Sequence, residues 1–467
     1  MYPEKKAFIV IIFFSFLESV NCQPATINLP SEDVLGNTEI YGFVRGGFYA
    51  GLDKEDANKP YISSAYSDFA LKINTGNNLN FKAFTDLRFR YGVEFQEPAN
   101  SINIRESYVK VYGKRWDLTA GQQIIKWGTT DFTNPVSRLS PANYIVRSPD
   151  REDMDMGNLL ADIRVHPSDI FSIEAALIPF YRSSVLIIDP VPVPDYVKIN
   201  EINSLITGKE MFSYGLKSDF HLRGLDASLT WFDGYDPMPG AELTSLRFDM
   251  TGGIPAPAME LNFRPFKTRM LGIAFESSIS AFGIRGEAAW SDPALSYKEY
   301  EYVPLPEIVW VAGGDYSRGN WRFLLEYSGK SVLDHTPAKA DPVIGTEPDF
   351  TSLIQLFSDP GFDPGDYVRQ QVSAFNRLYN YQLERYYHSA ALRIEADLLY
   401  GKLTPSLNTM YNITTRDFIL LPGIKIMPAD RLTVVAGFEY YKGVDGSLYE
   451  IVNDFMNSLY AAIRIDF

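Results

Sequence analysis

The chain has one cysteine, Cys22, and only four histidines among its 467 residues. A mature chain cut after Cys22 carries no thiol, which excludes disulfides, thiolate catalysis and cysteine-ligated metals. His166, His221, His335 and His388 stand far apart, and no two have metal-ligand spacing. There is no G-x-S-x-G elbow, phosphate-binding glycine loop or dinucleotide glycine run. His388 and Ser389 are adjacent, but on a strand they point to opposite faces and do not act as a pair. These absences read as a protein that is not an enzyme and needs no cofactor or metal. The net charge of -15 offers no basic surplus, so nucleic acid is not an expected partner.

Long apolar runs are also missing beyond the N-terminus, so no membrane helix of ~20 residues is expected. Residues 1–22 look like a signal peptide: Lys5 and Lys6 precede an apolar core, Ala7 to Leu17, and cleavage after Cys22 leaves Gln23 first. A looser reading takes Ser19-Val20-Asn21-Cys22 as a lipoprotein signal, against which Asn21 counts. Residues 23–38 then form a short periplasmic segment, and 39–467 the main body.

What is present is alternation. In Leu79 to Gln96 the odd positions Leu79, Phe81, Leu87, Phe89, Tyr91, Val93 and Phe95 are apolar. The even positions include Lys82, Asp86, Arg88, Arg90 and Glu94, with Phe84 the exception. Successive side chains of an extended chain face opposite ways, so one face meets lipid and the other water. The segment exceeds the usual soluble strand of about 5–6 residues and suits a barrel strand of ~9–11 that extends past the bilayer. The mean hydropathy of -0.13 conceals such a protein, because apolar and polar residues cancel.

The pattern recurs from residue 39 to the end. The expected strands are 39–53, 62–74, 79–96, 102–113, 116–127, 158–166, 170–183, 210–223, 225–234 and 259–280. They continue as 283–291, 306–317, 321–330, 381–400, 402–411, 417–427, 432–442 and 452–467. Merging or splitting would give 16 or 20 in place of 18. After even-numbered strands the links are short and rich in Gly, Pro, Asn and Asp, as in Thr75-Gly76-Asn77-Asn78 and Arg318-Gly319-Asn320. After odd-numbered strands they are mostly long: 54–61, 128–157, 184–209, 235–258, 292–305 and 331–380. Sorting of loops by parity is the build of an outer-membrane barrel. Within 331–380, Asp366 to Phe375 reads as a helix opened by Pro364-Gly365, and Asp349 to Phe357 as a second short candidate. The terminal Phe467, with Ile465 and Ile463 behind it, resembles the signal read by outer-membrane assembly machinery.

The polar faces carry the candidate site. Charges on a lipid face near the midplane cost ~2–4 kcal/mol, so Arg88, Arg90, Glu94, Arg285, Glu287, Arg322, Glu326, Arg393, Glu395 and Asp397 are expected to line the lumen. Alternation fails in Gly121 to Pro149, near Gln122-Gln123-Ile124-Ile125-Lys126, where a bulge or inward bend is expected. Gly128, Pro135 and Pro141 then stop regular pairing. The stretch mixes Lys126, Trp127, Asp131, Asn134, Pro135, Arg138, Arg147 and Arg151 with Asp150, Glu152, Asp153 and Asp155. It reads as a loop, 128–157, that folds into the lumen and narrows it, the plainer alternative being an outer cap.

Ile104-Arg105-Glu106-Ser107-Tyr108-Val109, Gly121-Gln122-Gln123, Trp127-Gly128, Asn134-Pro135 and Pro141 resemble elements of uncharacterised outer-membrane barrels, loosely similar to alginate-export and capsule-associated barrels. The resemblance covers about fifty residues and implies an envelope transport role, without a substrate. The reading is an all-β, transmembrane antiparallel barrel of about 18 strands in the outer membrane of a diderm bacterium. It acts as a porin-like channel or export conduit for polar solutes. Expected partners are outer-membrane lipid and lipopolysaccharide, the assembly machinery, and an inner-membrane or periplasmic transport partner. One alternative is a transporter of lipid or other hydrophobic compounds, for which the inward Phe84 and Val435 speak. A second is a structural or adhesive surface barrel.

Overall fold

The computed structural model describes residues 38–467 apart from 53–58, 78–79, 187–190, 192, 201–204, 207–210, 252–253 and 345–360. The signal peptide and most of the 23–38 segment therefore lie outside the described residues. Among these, eighteen long strands form one antiparallel sheet closed on itself. They are β1 Glu39–Leu52, β2 Pro60–Asn77, β3 Phe81–Glu94, β4 Ser101–Tyr112, β5 Trp116–Gln123 and β6 Asn158–Ser168. Next come β7 Phe171–Ile178, β8 Ser213–Leu222, β9 Leu225–Tyr235, β10 Lys267–Ile279, β11 Phe282–Pro293 and β12 Glu307–Arg318. The circuit ends with β13 Trp321–Val332, β14 Tyr386–Ala396, β15 Leu403–Asn412, β16 Phe418–Ala429, β17 Leu432–Lys442 and β18 Ser458–Asp466. Each strand pairs with the next, and β1 pairs with β18 in the register Arg45↔Arg464, which removes every edge.

The alternation of the sequence becomes two faces. Leu325, Ile273, Leu229 and Ile463 are all more than half exposed on the outside, where lipid would cover them. No helix among the described residues is long and apolar enough to cross a membrane. The loops between even and odd strands are short, and most of the reverse set are long, so both ends of the described chain lie on the short-turn side.

Phe467 sits at the seam. Its backbone exchanges hydrogen bonds with Gly42 at 3.1 and 3.0 Å, and its ring stacks on Phe69, centroids 5.9 Å apart. Gly42 permits this, because a Cβ there would lie 2.9 Å from the Phe467 ring and 1.9 Å from the Ala70 carbonyl oxygen.

The boundaries differ most from expectation at three strands. The strand expected at 259–280 is two: Ile254–Arg264 belongs to a hairpin with Gly240–Thr251, and β10 starts at Lys267. Val197–Asn200 joins that hairpin in parallel, making a three-stranded sheet on the long-loop side. Helix α1, Pro364–Tyr379, packs on it through Val368 and Val372, and Asp363 caps its first turn by accepting from Gly365 N and Asp366 N. The second helix candidate, Asp349 to Phe357, lies outside the described residues. The strand expected at 381–400 is confined to β14. The expected 452–467 begins as helix: α2, Leu448–Met456, buries Ile451 and Phe455 before β18 begins. Alternation over a single helical turn is indistinguishable from strand alternation, which is why the sequence pattern ran on.

Candidate functional site

β5 stops at Gln123, where the alternation fails, and the 34 residues from 124 to 157 turn into the barrel. Residues of the sequence motif make the turn. Glu106 on β4 accepts a hydrogen bond from Ile124 N at 3.0 Å, and Ser140 Oγ one from Ile125 N at 2.8 Å. Gly128 has φ +100°, and a Cβ there would lie 2.5 Å from both Asn134 Oδ1 and Glu287 Oε1, so only glycine fits. Asn134 Nδ2 donates to the Trp127 carbonyl at 2.6 Å, and Pro135 behind it is buried.

An apolar core forms inside the barrel around this turn. Trp127, Val136 and Leu139 of the loop pack with Leu160 of β6, Ala176 and Ile178 of β7, Phe232 of β9, Met270 of β10 and Ala289 of β11. Burying side chains of this size contributes about 1.5–3 kcal/mol each. The Trp127 indole donates to Glu174 Oε1 at 2.8 Å, so its one polar atom is satisfied. An eighteen-strand barrel is too wide for its own inward side chains to fill, and here the loop supplies the missing half of the core.

Beyond the core, the loop is held by carboxylates that reach from the wall to its backbone. Glu287 on β11 accepts from Thr129 N and, at 2.8 Å, Thr130 N. Glu326 on β13 accepts from Asp131 N at 2.6 Å and Phe132 N at 3.0 Å. Glu94 on β3 accepts from Arg147 N at 2.7 Å. Asp131 bridges Arg285 and, at 3.4 Å, Arg393, whose guanidinium lies 5.1 Å from the Phe132 ring.

The far end of the loop meets a network on β1–β4 and β17–β18. Arg45 is 2 % exposed and contacts Asp68 at 2.5 Å, Asp153 at 2.5 Å and Asp150 at 3.0 Å. Arg90 binds Asp68 at 2.6 Å and also Glu94, while Arg88 binds Asp86 at 2.6 Å and Asp153 at 3.6 Å. Arg147 reaches Glu439 at 2.9 Å and stacks 4.4 Å from the Tyr49 ring. Arg464 reaches Asp150 at 3.1 Å. Burial alone would raise the Asp153 carboxyl, but Arg45 and Ser148 outweigh it and hold it below its ordinary value.

The remaining candidates are placed as follows. Arg138 pairs with Asp236 at 3.1 Å under the long-loop sheet, and Lys126 with Asp155 at 2.6 Å. Arg151 is exposed at the start of the 3-10 turn Arg151–Met154. Arg322, Glu395 and Asp397 gather near the short-turn end, with Arg322 3.7 Å from Glu395 and 3.8 Å from Asp397. The two groups centred on Arg45 and on Asp131 are thus separate, and the loop joins them.

Sequence reading missed Arg45, Asp68, Glu174, Glu439 and Arg464. All five occupy inward positions of strands it had drawn, so carrying the alternation through β1, β2, β7, β17 and β18 would have found them. The inward Phe84 packs on Tyr108, centroids 5.6 Å apart.

No protein-family model and no characterised protein matches the chain by sequence. The alginate-export and capsule likeness therefore rests on the motif residues alone. Solved structures do match in fold. OccK2 (OpdF) of Pseudomonas aeruginosa superposes with a TM-score of 0.54 at 10 % identity, covering 93 % of this chain and 98 % of that one. OccK3 (OpdO) of the same organism gives 0.53 at 13 % identity, with 93 % and 97 % covered. OccAB2 of Acinetobacter baumannii gives 0.52 at 11 %, with 92 % and 97 % covered. The chain has the closed eighteen-strand fold of outer-membrane β-barrels.

Proposed function

We propose that the protein is an outer-membrane channel that passes polar solutes through a lumen narrowed by loop 124–157. The observation that carries this reading is the loop's attachment: from Trp127 to Asp153 its partners are inward-facing groups of β1, β3, β7, β11 and β13. A segment tied to opposite walls of a barrel divides its interior into a packed side and a wetter side. On the packed side, inward residues of β6, β7 and β9–β11, among them Leu160, Ile178, Phe232 and Met270, are buried in the apolar core. On β15–β17 the inward residues are only half-buried, which suits a water-filled passage along that wall. In a passage with low-dielectric walls, fixed charges act on a solute more strongly than in bulk water. The fold likeness to outer-membrane channels agrees with this role and with an envelope location.

The reading as a transporter of hydrophobic compounds draws less support. On β6, β7 and β9–β11, inward apolar side chains are taken up by packing against Trp127, Val136 and Leu139. The test is conductance of the purified full-length protein in a planar bilayer, beside a variant in which 135–150 is replaced by a short Gly/Ser link. The channel reading expects stepwise conductance in the wild type and larger steps in the variant. A folded wild type without conductance overturns it, and equal steps in both proteins overturn the narrowing.

A further inference from the structure

Charges inside the barrel divide by what they can reach. The most buried ones, Arg45, Asp86, Arg147, Glu174, Glu287 and Glu326, are no more than 4 % exposed and lie in the ion pairs and backbone contacts that hold wall and loop. Two pairs that a solute can touch are neighbours of opposite sign. Arg393 and Asp131 are about a quarter exposed and 3.4 Å apart, and Arg464 and Asp150 are 33 % and 45 % exposed and 3.1 Å apart. The wall between them is mostly uncharged: Ser406, Asn408, Met410, Leu421, Gly423 and Val435 point inward from β15–β17, where Glu439 is tied to Arg147. Lys425 is exposed toward the short-turn end, in the register of Thr404, two residues from the Glu395↔Ser406 pair.

A row of charges of one sign concentrates its counter-ions, whereas adjacent opposite charges cancel within a few ångströms in salt. Apart from Lys425 near the short-turn end, the paired charges of this passage therefore favour neither anions nor cations. A guanidinium beside a carboxylate instead presents donors and acceptors side by side. Hydroxyl groups, each both donor and acceptor, match that arrangement, and the amide of Asn408, whose oxygen accepts from Arg393 Nε at 2.8 Å, extends it. Leu421, Val435 and the bare Gly423 backbone suit the C–H faces of such a molecule.

Resting on the channel reading, we propose that the permeant class is uncharged, polyhydroxylated solutes of the sugar or polyol type. The probes are glucose, gluconate and glucosamine, which share size and hydroxyls and differ in charge. Full-length protein, shown folded by heat-dependent gel migration, is placed in liposomes and in planar bilayers. Absence of KCl conductance would remove the channel reading and this inference with it. With conductance present, glucose should enter several-fold faster than either ion, and the reversal potential across a KCl gradient should stay near zero. Asn408→Asp, which adds a carboxylate to the neutral wall, should move the reversal potential toward cation preference and slow gluconate more than glucose. Gluconate or glucosamine entering as fast as glucose, or a strong ion preference in the wild type, overturns the proposal while leaving the channel intact.

Discussion

Glu326 on β13 accepts two backbone N–H groups of the loop and is 2 % exposed. Replacing it with leucine keeps the bulk and leaves Asp131 N and Phe132 N without an acceptor. Hydrogen bonds to a charged group contribute about 1.5–3 kcal/mol each, so the pair is worth roughly 3–6 kcal/mol before the amides regain water. At about 1.4 kcal/mol per factor of ten, even the lower figure shifts the local docking equilibrium more than a hundredfold. The loss should stay local. Glu287 still holds Thr129 and Thr130, and Arg138 and Arg147 hold the rest. The segment around Asp131 and Phe132 should fray, freeing Arg285 and Arg393. Single-channel recording should then show larger and noisier steps for Glu326→Leu. Glu326→Gln should fall between it and the wild type, since one oxygen still accepts. The barrel itself, stitched by eighteen strand pairings, should migrate as folded until boiled. A folded Glu326→Leu protein whose steps and noise match the wild type would refute the anchoring argument.

Three further outcomes follow from the same geometry. Deleting Phe467 removes the ring stacked on Phe69 and the closing bonds to Gly42, and should leave an exported but unassembled chain; normal amounts of heat-modifiable protein in the membrane fraction would contradict it. Tags at Gly224 or Gly319 should be shielded in intact cells and a tag after Pro194 labelled, and surface labelling at Gly319 would invert the assigned sidedness. Asp153 has a lowered folded value, so its contribution is full above its unfolded value of about 3.9 and drains as pH falls through the lower one. Conductance should therefore hold steady between roughly pH 8 and pH 5 and change from this group only below about pH 4, a change absent in Asp153→Asn; in that comparison an Asp153-dependent opening near neutrality would count against the assignment.

Strands were legible because the barrel imposes one rule on every one of them: lipid on one face, water or loop on the other. That rule marked Arg88, Arg90, Glu94 and Glu326 as inward from spacing alone. It could not say what those side chains meet once inside, because partners such as Asp131 and Asp153 lie in a loop without periodicity. Glu287 and Glu326 illustrate the gap. As sequence they are lumen charges that either pair across the lumen and stiffen the wall or line a path for a polar solute, whereas in the fold they are acceptors for loop backbone. The extra hairpin Gly240–Thr251/Ile254–Arg264 was hidden for a related reason. It alternates like a barrel strand and joins β10 after two residues, Pro265 and Phe266, so the two read as one.

On the proposed channel reading, loop 124–157 has two jobs that pull in opposite directions. To stay inside a wide barrel it must bury apolar surface, which Trp127, Val136 and Leu139 do against β6–β11. To leave a passage it must stand away from another wall, and that side cannot be held by packing. Ion pairs and charge-assisted backbone contacts solve this, since they fix a chain at a few points without filling the space between them. Each such contact needs a partner of opposite sign, so the anchors that position the loop also neutralise the passage beside it. Arg393 with Asp131 and Arg464 with Asp150 are where that happens, at 3.4 and 3.1 Å. Their removal should therefore alter docking and ion preference together, while a charge placed at Ser406 or Leu421, neutral inward positions of β15 and β16, should alter preference alone.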